Sequence, residues 1–232
     1  MSNSSDNMDL SGYESIDIYL PGRWVMYLYN KSAFKKLSSK SNHVAKPYTR
    51  VCEIATLNDL IYIIQLMKVP ATGGKINLDM NDYVIMRKGI EPIWEDPKNA
   101  NGGTFSVKAP RKNGYAIWSD FMIRTLGETL VLEMEYINGI SVTFMSDYKF
   151  SNGNVNGDSY NLIKVWDGRD KDNVKSFLDI LPATLTNTFK EESCKYLSHR
   201  QKKHYGNDNV VRKLGDSRRG KNKRGRRGGF RR

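Results

Sequence analysis

Residues 89–105 read GIEPIWEDPKNANGGTF. Pro92, Pro97 and the pair Gly102 and Gly103 mark a loop, yet Trp94 stands in it directly beside Glu95 and Asp96. In a strand, neighbouring side chains point to opposite faces; in a loop both can point the same way. Two readings of Trp94 are open. In one, the ring packs on the core or on the floor of its own loop, the commoner fate of a lone Trp. In the other, ring and carboxylate are offered to a ligand. An aromatic face attracts a cation and a carboxylate accepts paired N–H groups. The ligand that meets both is a planar, positively charged heterocycle with N–H donors along one edge. A 7-methylated guanine, with its N1–H and N2 amino group, has that chemistry.

The flanking sequence predicts an α+β domain. Residues 23–29 (RWVMYLY) read as a strand with Trp24, Met26 and Leu28 on one face. Residues 31–50, with five Lys and four Ser, read as a loop. Thr56 is placed to cap a helix, with Asp59 three residues on in the capping-box position. Its packed stripe reads Leu57, Leu60, Ile61 and Ile64, widened by Ile63 and Met67. Strands are predicted at 83–87 and 104–108 on either side of the opening loop. A helix over 117–126 stops at Gly127, and LVLEMEYINGISVTFM (130–145) reads as a hairpin turning at Asn138 and Gly139. The polar loop 146–159 precedes a strand at 160–166. Asp170 is placed to cap a third helix carrying Val174, Phe177, Leu178 and Leu181 and ended by Pro182. Residues 193–199 (SCKYLSH) close the pattern as a last strand.

Charge divides the chain. Residues 200–232 hold 14 Lys and Arg against 2 Asp, whereas residues 1–199 hold 23 basic and 23 acidic residues. The net charge of +12 therefore belongs to the tail, which ends RRGKNKRGRRGGFRR and has the composition of a disordered, phosphate-seeking segment. The expected division is a flexible leader over 1–15, a folded domain over 16–199 and a basic tail over 200–232. The leader is polar and acidic, unlike a targeting peptide, and no apolar run is long enough to cross a bilayer. Two cysteines suit a reducing compartment. Three separated histidines, without CxxC or HExxH, give a metal little to bind. No phosphate loop, activated nucleophile or opposed acid–base pair is found, so an enzyme is the least supported class. No cofactor is implied.

The loop GIEPIWEDPKNANGG also resembles the signature loop of the cap-binding translation initiation factors of the 4E family. Other pieces follow in family order: Gly22, Arg23 and Trp24; the helix after Thr56; Trp118, Gly127 and Glu128; the strand end Ile163 to Trp166; and Tyr196, Ser198 and His199. The resemblance covers roughly residues 16–200. It implies a strongly curved antiparallel sheet of about eight strands. Three helices cover the convex back and a cap slot lies on the concave side. Carried over, Trp94 is one slice of an aromatic sandwich, Glu95 holds the guanine edge and Trp166 lies against the 7-methyl group. Trp24 and Trp118 are read as structural.

The sequence departs from the family in three places. The second aromatic slice falls on Val44; Tyr48, His43 and Phe34 are the nearby candidates, Tyr48 the preferred one. Arg and Lys expected at the phosphates fall on Thr104, Met145 and Leu162, which leaves Lys164, on the face of Trp166, and Lys149 as substitutes. On the back, where a partner helix docks, Ile61 stands for a Trp and Ser119 for a Leu, while Leu57 and Ile123 keep the surface apolar. The implied function is capture of capped mRNA for translation in the cytoplasm by a monomer, with a scaffold-type initiation factor or a repressor helix as partner. A cap-binding repressor or cap shield, and a general RNA-binding protein driven by the tail, are the alternatives.

Overall fold

The computed structural model describes residues 17–30, 48–68, 81–144, 160–170, 174–187, 189 and 191–200. Within them lie seven strands: β1 (Tyr19–Asn30), β2 (Tyr48–Thr56), β3 (Asn81–Arg87), β4 (Gly103–Pro110), β5 (Ile137–Thr143), β6 (Tyr160–Asp167) and β7 (Cys194–Ser198). They form one curved, open sheet in the order β2-β1-β3-β5-β6-β4-β7, antiparallel throughout. The expected architecture is therefore observed, with seven strands described where about eight were anticipated. β2 is the strand that the sequence pattern did not announce; the predicted loop 31–50 gives way to it at Tyr48.

The helices are α1 (Leu57–Lys68), α2 (Gly114–Leu126), α3 (Val174–Ile180) and the single turn α4 (Ala183–Thr186). They cover one face of the sheet. Trp24, Met26, Ile54, Ile85, Val107, Ile163 and Val165 meet Leu60, Trp118, Phe121 and Phe177 there in one continuous core. Trp24 and Trp118 are fully buried in it, as read from the sequence. Alternation sends Val84, Met86 and Trp166 to the other, helix-free face, where they pack with Ile90, Tyr27 and Tyr48.

Two local expectations are corrected. First, α1 is rotated. Leu60, Ile63 and Met67 are buried, whereas Leu57 and Ile61 remain 37% and 43% exposed. Apolar residues surround this helix, so periodicity did not select a single face. Second, there is no hairpin at Asn138 and Gly139. Both lie inside β5, at a register shift against β6, and residues 129–136 are irregular apart from a short turn at Met134–Tyr136. A Cβ on Gly139 would stand 2.4 Å from the Ile85 carbonyl oxygen, so the glycine permits close strand approach rather than a turn. Arg87 holds the irregular segment. It donates to the carbonyls of Ile137 (2.8 Å) and Met134 (2.7 Å), pairs with Glu128 at 2.6 Å and stacks on Trp24. The expected helix cap at Asp170 involves residues 171–173, which lie outside the described residues. The Asp170 carboxylate accepts from Tyr196 (2.7 Å) and Ser198 (2.9 Å), securing β7. The leader over 1–15 and tail residues 201–232 lie outside the described residues, and no helix among the described residues is long and apolar enough to cross a membrane.

The predicted capping box is present. Asp59 N donates to Thr56 Oγ1 (3.1 Å), and Asp59 Oδ2 accepts from the amides of Thr56 (2.8 Å) and Ala55 (2.9 Å). These amides, the Ala55 bond foremost, hold the Asp59 carboxyl below its ordinary pKa. A lowered carboxyl pKa adds stability above the unfolded-state pKa and loses it as pH falls through the folded-state value. Asp59→Ala is therefore expected to cost about 1 kcal/mol at neutral pH, or roughly 2–4 °C in Tm. In thermal melts the difference from the parent should shrink below the ordinary carboxylate range; a pH-independent difference would contradict the assignment.

Candidate functional site

The segment between β3 and β4 crosses from one part of the sheet to another, and its polar side chains are spent on holding it in place. Gly89 takes a positive φ of 85° to start the turn. Asp96 Oδ2 accepts from the Glu91 amide and Oδ1 from the Lys98 amide, each at 2.9 Å. The Asp96 carbonyl accepts from the amides of Asn99 and Ala100 at 2.8 Å. Asn99 has no exposed surface. Its amide nitrogen donates to the carbonyls of Glu91 and Ile93 (2.9 Å each), and its amide oxygen accepts from Asn138 Nδ2 at 3.0 Å. Asn138 also donates to the Lys98 carbonyl at 2.8 Å.

His199, fully buried just after β7, closes this network. Its Nδ1 lies 2.7 Å from the Asn99 carbonyl oxygen, and its Nε2 lies 2.6 Å from Thr104 Oγ1. A carbonyl only accepts, so in the neutral ring Nδ1 carries the proton and Nε2 accepts from the threonine hydroxyl. The His199 amide adds a bond to the Gly102 carbonyl at 2.9 Å. Thr104, where the resemblance implied a phosphate-binding Arg, is thus a buried part of the loop's support. Trp94 and Glu95 sit between these anchored positions, Trp94 partly exposed and Glu95 exposed.

The helix-free face carries the other candidates. Trp166 is nearly buried; its Nε1 donates to Ser141 Oγ at 3.3 Å and its ring lies 5.3 Å from that of His199. Tyr48, the first residue of β2, packs on the same cluster, with its ring 5.3 Å from Tyr29. Its pKa is pushed up to about 12, by burial first and then by the charges of Asp82, Tyr29 and Glu95. The phenol is therefore neutral at any physiological pH, and Glu95 is close enough to contribute to the shift. Lys164 follows the parity of Trp166 and lies between Ser141 on β5 and Ser106 on β4. Leu162, two residues further down the same face, is half-buried. Lys149, Met145, His43, Phe34 and Val44 lie outside the described residues.

The partner-face candidates lie on the opposite side. Leu57 and Ile61 stand one turn apart on α1, and Ile123, 48% exposed, is on α2. Tyr115 of α2 donates its hydroxyl to the Ile64 carbonyl of α1, tying the two helices together. Sequence reasoning missed Asn99, Asn138 and the supporting role of Asp96. Only Asp96 left a local signal, as the start of an Asp-Pro-Lys-Asn turn. Asn99 and Asn138 are 39 residues apart and become neighbours only through the sheet.

Comparison with known proteins adds an independent line. The family model for eukaryotic initiation factor 4E matches residues 19–213. The eukaryotic translation initiation factor 4E homolog of Acanthamoeba polyphaga mimivirus is 44% identical over 240 residues, covering 90% of this chain and 88% of its own. The eukaryotic translation initiation factor isoform 4E of Capsicum annuum is 31% identical over 112 residues, 47% of this chain and 50% of its own. Among solved structures, the complex of C. elegans eIF4E-3 with the 4E-binding protein Mextli and cap analog superposes with a TM-score of 0.57 at 18% identity. That match covers 82% of this chain and 96% of the other, and it concerns the fold.

Asn99→Ala would leave the Glu91 and Ile93 carbonyls and one Asn138 donor without their partner. The expected loss is about 1–3 kcal/mol in thermal or urea unfolding. By hydrogen exchange, the amides of Lys98, Asn99 and Ala100 should lose protection while those of β1 and β3 keep it. Unchanged protection over 96–100 would show that the loop is held by something else.

Proposed function

The chain belongs to the eukaryotic initiation factor 4E family, and we propose that it binds the 7-methylguanosine 5′ cap of mRNA and delivers capped messages to translation initiation. Its work is recognition, not catalysis. The observation that carries the reading is the anchored loop of residues 89–102. Its supporting side chains are consumed in internal bonds, while Trp94 and Glu95 remain outside that network.

In this reading the methylated base lies against the Trp94 ring, which attracts its positive charge. Glu95 accepts the N1–H and N2–H donors of the guanine edge. Tyr48 supplies the second ring, supported by its place in the cluster with Trp166 and by the influence of the Glu95 charge on its phenol. Trp166 borders the 7-methyl group. Lys164 meets the triphosphate, with Lys149 as a second cation. A micromolar complex needs about 8 kcal/mol. One stack at roughly 1–3 kcal/mol, a cation–π term of about 2 kcal/mol and two charge-assisted bonds of about 1.5–3 kcal/mol each only bracket that figure before the cost of association is counted, and a second ring supplies the margin.

The opposite face supports a second contact. Leu57, Ile61 and Ile123 present apolar side chains on two joined helices, a surface suited to an amphipathic helix from a scaffold-type factor or a repressor. Residues 16–199 form the cap-binding unit, residues 1–15 a leader, and residues 200–232 a basic tail that attracts RNA phosphates. The protein acts as a monomer in the cytoplasm.

Tryptophan fluorescence of the full chain, titrated with 7-methyl-GTP and with GTP, tests the reading. The methylated ligand should quench strongly. GTP, lacking the positive ring, should bind roughly 30-fold more weakly, as expected from a cation–π difference of about 2 kcal/mol. Trp94→Ala should abolish binding, Glu95→Gln should weaken it at least tenfold, and Tyr48→Ala should weaken it several-fold. Equal affinity for the two ligands would refute cap recognition; an unaffected Tyr48→Ala would remove Tyr48 from the sandwich.

A further inference from the structure

The helix-free face is divided by chemistry. Around the base site it carries rings and acids: Tyr27, Tyr29, Tyr48, Asp82 and Glu95. Beyond Trp166, on β6, β4 and β7, the side chains change sign. Lys164 of β6 and Lys195 of β7 both lie opposite Ser106 of the intervening β4. Strand spacing puts the two Cα atoms about 10 Å apart, with a serine between them and no carboxylate in that stretch of the row. Lys108 follows two residues along β4 on the same side, about 7 Å further on. Its ammonium sits 4.5 Å above the ring of Tyr160, the first residue of β6. The burial pattern agrees with the parity. Ser106, Lys108, Tyr160 and Lys164 are partly exposed and Lys195 is exposed, while Val107 and Ala109 on β4 and Ile163 and Val165 on β6, of the opposite parity, are buried in the core. Among the described residues Lys195 enters no ion pair.

Resting on the cap reading, we propose that Lys195, Lys108 and Tyr160 form a track for the first transcribed nucleotides of the capped RNA, continuing from the triphosphate at Lys164. Two features support this occupant. The track starts two residues from Trp166 and ends six residues from it, a run of about 13 Å along β6 whose far end lies about 20 Å from Trp166, and so extends past the phosphates of the cap itself. It also alternates cations with an aromatic ring, the pattern that binds single-stranded nucleic acid without reading its sequence. The cations meet backbone phosphates, and the Tyr160 ring offers a base a stacking face beside Lys108. The site thus distinguishes a capped RNA from a free cap nucleotide.

The test compares the full chain with the double variant Lys108→Ala/Lys195→Ala, each titrated with 7-methyl-GTP and with a 7-methylguanosine-capped tetranucleotide at several salt concentrations. The wild type should bind the capped oligonucleotide several-fold more tightly than 7-methyl-GTP. The variant should lose most of that advantage and keep its 7-methyl-GTP affinity within twofold. Its salt slope for the oligonucleotide should fall by about 1.4, at about 0.7 per phosphate contact on a single strand. Lys108→Arg/Lys195→Arg should retain the advantage, which separates charge from folding. An advantage that survives in the alanine variant would assign it to the basic tail and overturn the track. Parallel loss for both ligands would overturn it too, by making these lysines part of the cap site. A wild type that fails to bind 7-methyl-GTP would instead refute the cap reading itself.

Discussion

The bond pair at His199 is the constraint on which the site depends. One imidazole with no exposed surface ties the Asn99 carbonyl to the Thr104 hydroxyl, and so joins the far end of a long crossing loop to the start of β4 and the end of β7. Asn99 then distributes that anchorage back to Glu91, Ile93 and Asn138. Buried polar groups are costly when only partly satisfied. Here the members of the network satisfy one another, and the loop gains one conformation. A Trp and a Glu carried on such a loop lose little further freedom when a ligand arrives, which is how preorganisation converts contacts into affinity.

The sheet extends the same logic outward. Its helix-covered face is a continuous apolar core, which fixes the strand register. Register in turn decides which side chains share the free face. Rings and carboxylates gather beside the loop, and lysines with small hydroxyl residues lie beyond Trp166. A capped RNA has the matching polarity, with a cationic base at one end and a chain of phosphates leading away. In the proposed reading, replacement of the expected phosphate ligands by Thr104 and Leu162 relocates positive charge rather than losing it. Thr104 serves the loop, and the lysines of β6, β4 and β7 share the free face.

Much of this was legible in the sequence where a local rule was sufficient. The alternation of Trp24, Met26 and Leu28 gave β1 its buried side, and Thr56 with Asp59 marked the start of α1 through a capping box whose bonds are all present. The order of the family-like pieces carried the sheet and the position of Trp94. The failures came where long-range packing overrides local chemistry. Asn138 and Gly139 have the composition of a tight turn, but Gly139 is needed for backbone approach to Ile85 and Asn138 for the loop. Leu57 and Ile61 fit a helical stripe, but so do Leu60, Ile63 and Met67, and only the sheet decides between them. The tie between Asn99, Asn138 and His199 gives no local signal, because these contacts join residues 39 to 100 apart.

A crystal structure of the chain with a 7-methylguanosine-capped dinucleotide tests the central claim most directly. The account predicts the methylated base stacked on Trp94, its N1 and N2 edge on Glu95, the second ring contributed by Tyr48, and the phosphates running from Trp166 toward Lys164. A base seated elsewhere on the sheet, or phosphates lying toward Asp82 and away from the lysines, would contradict it.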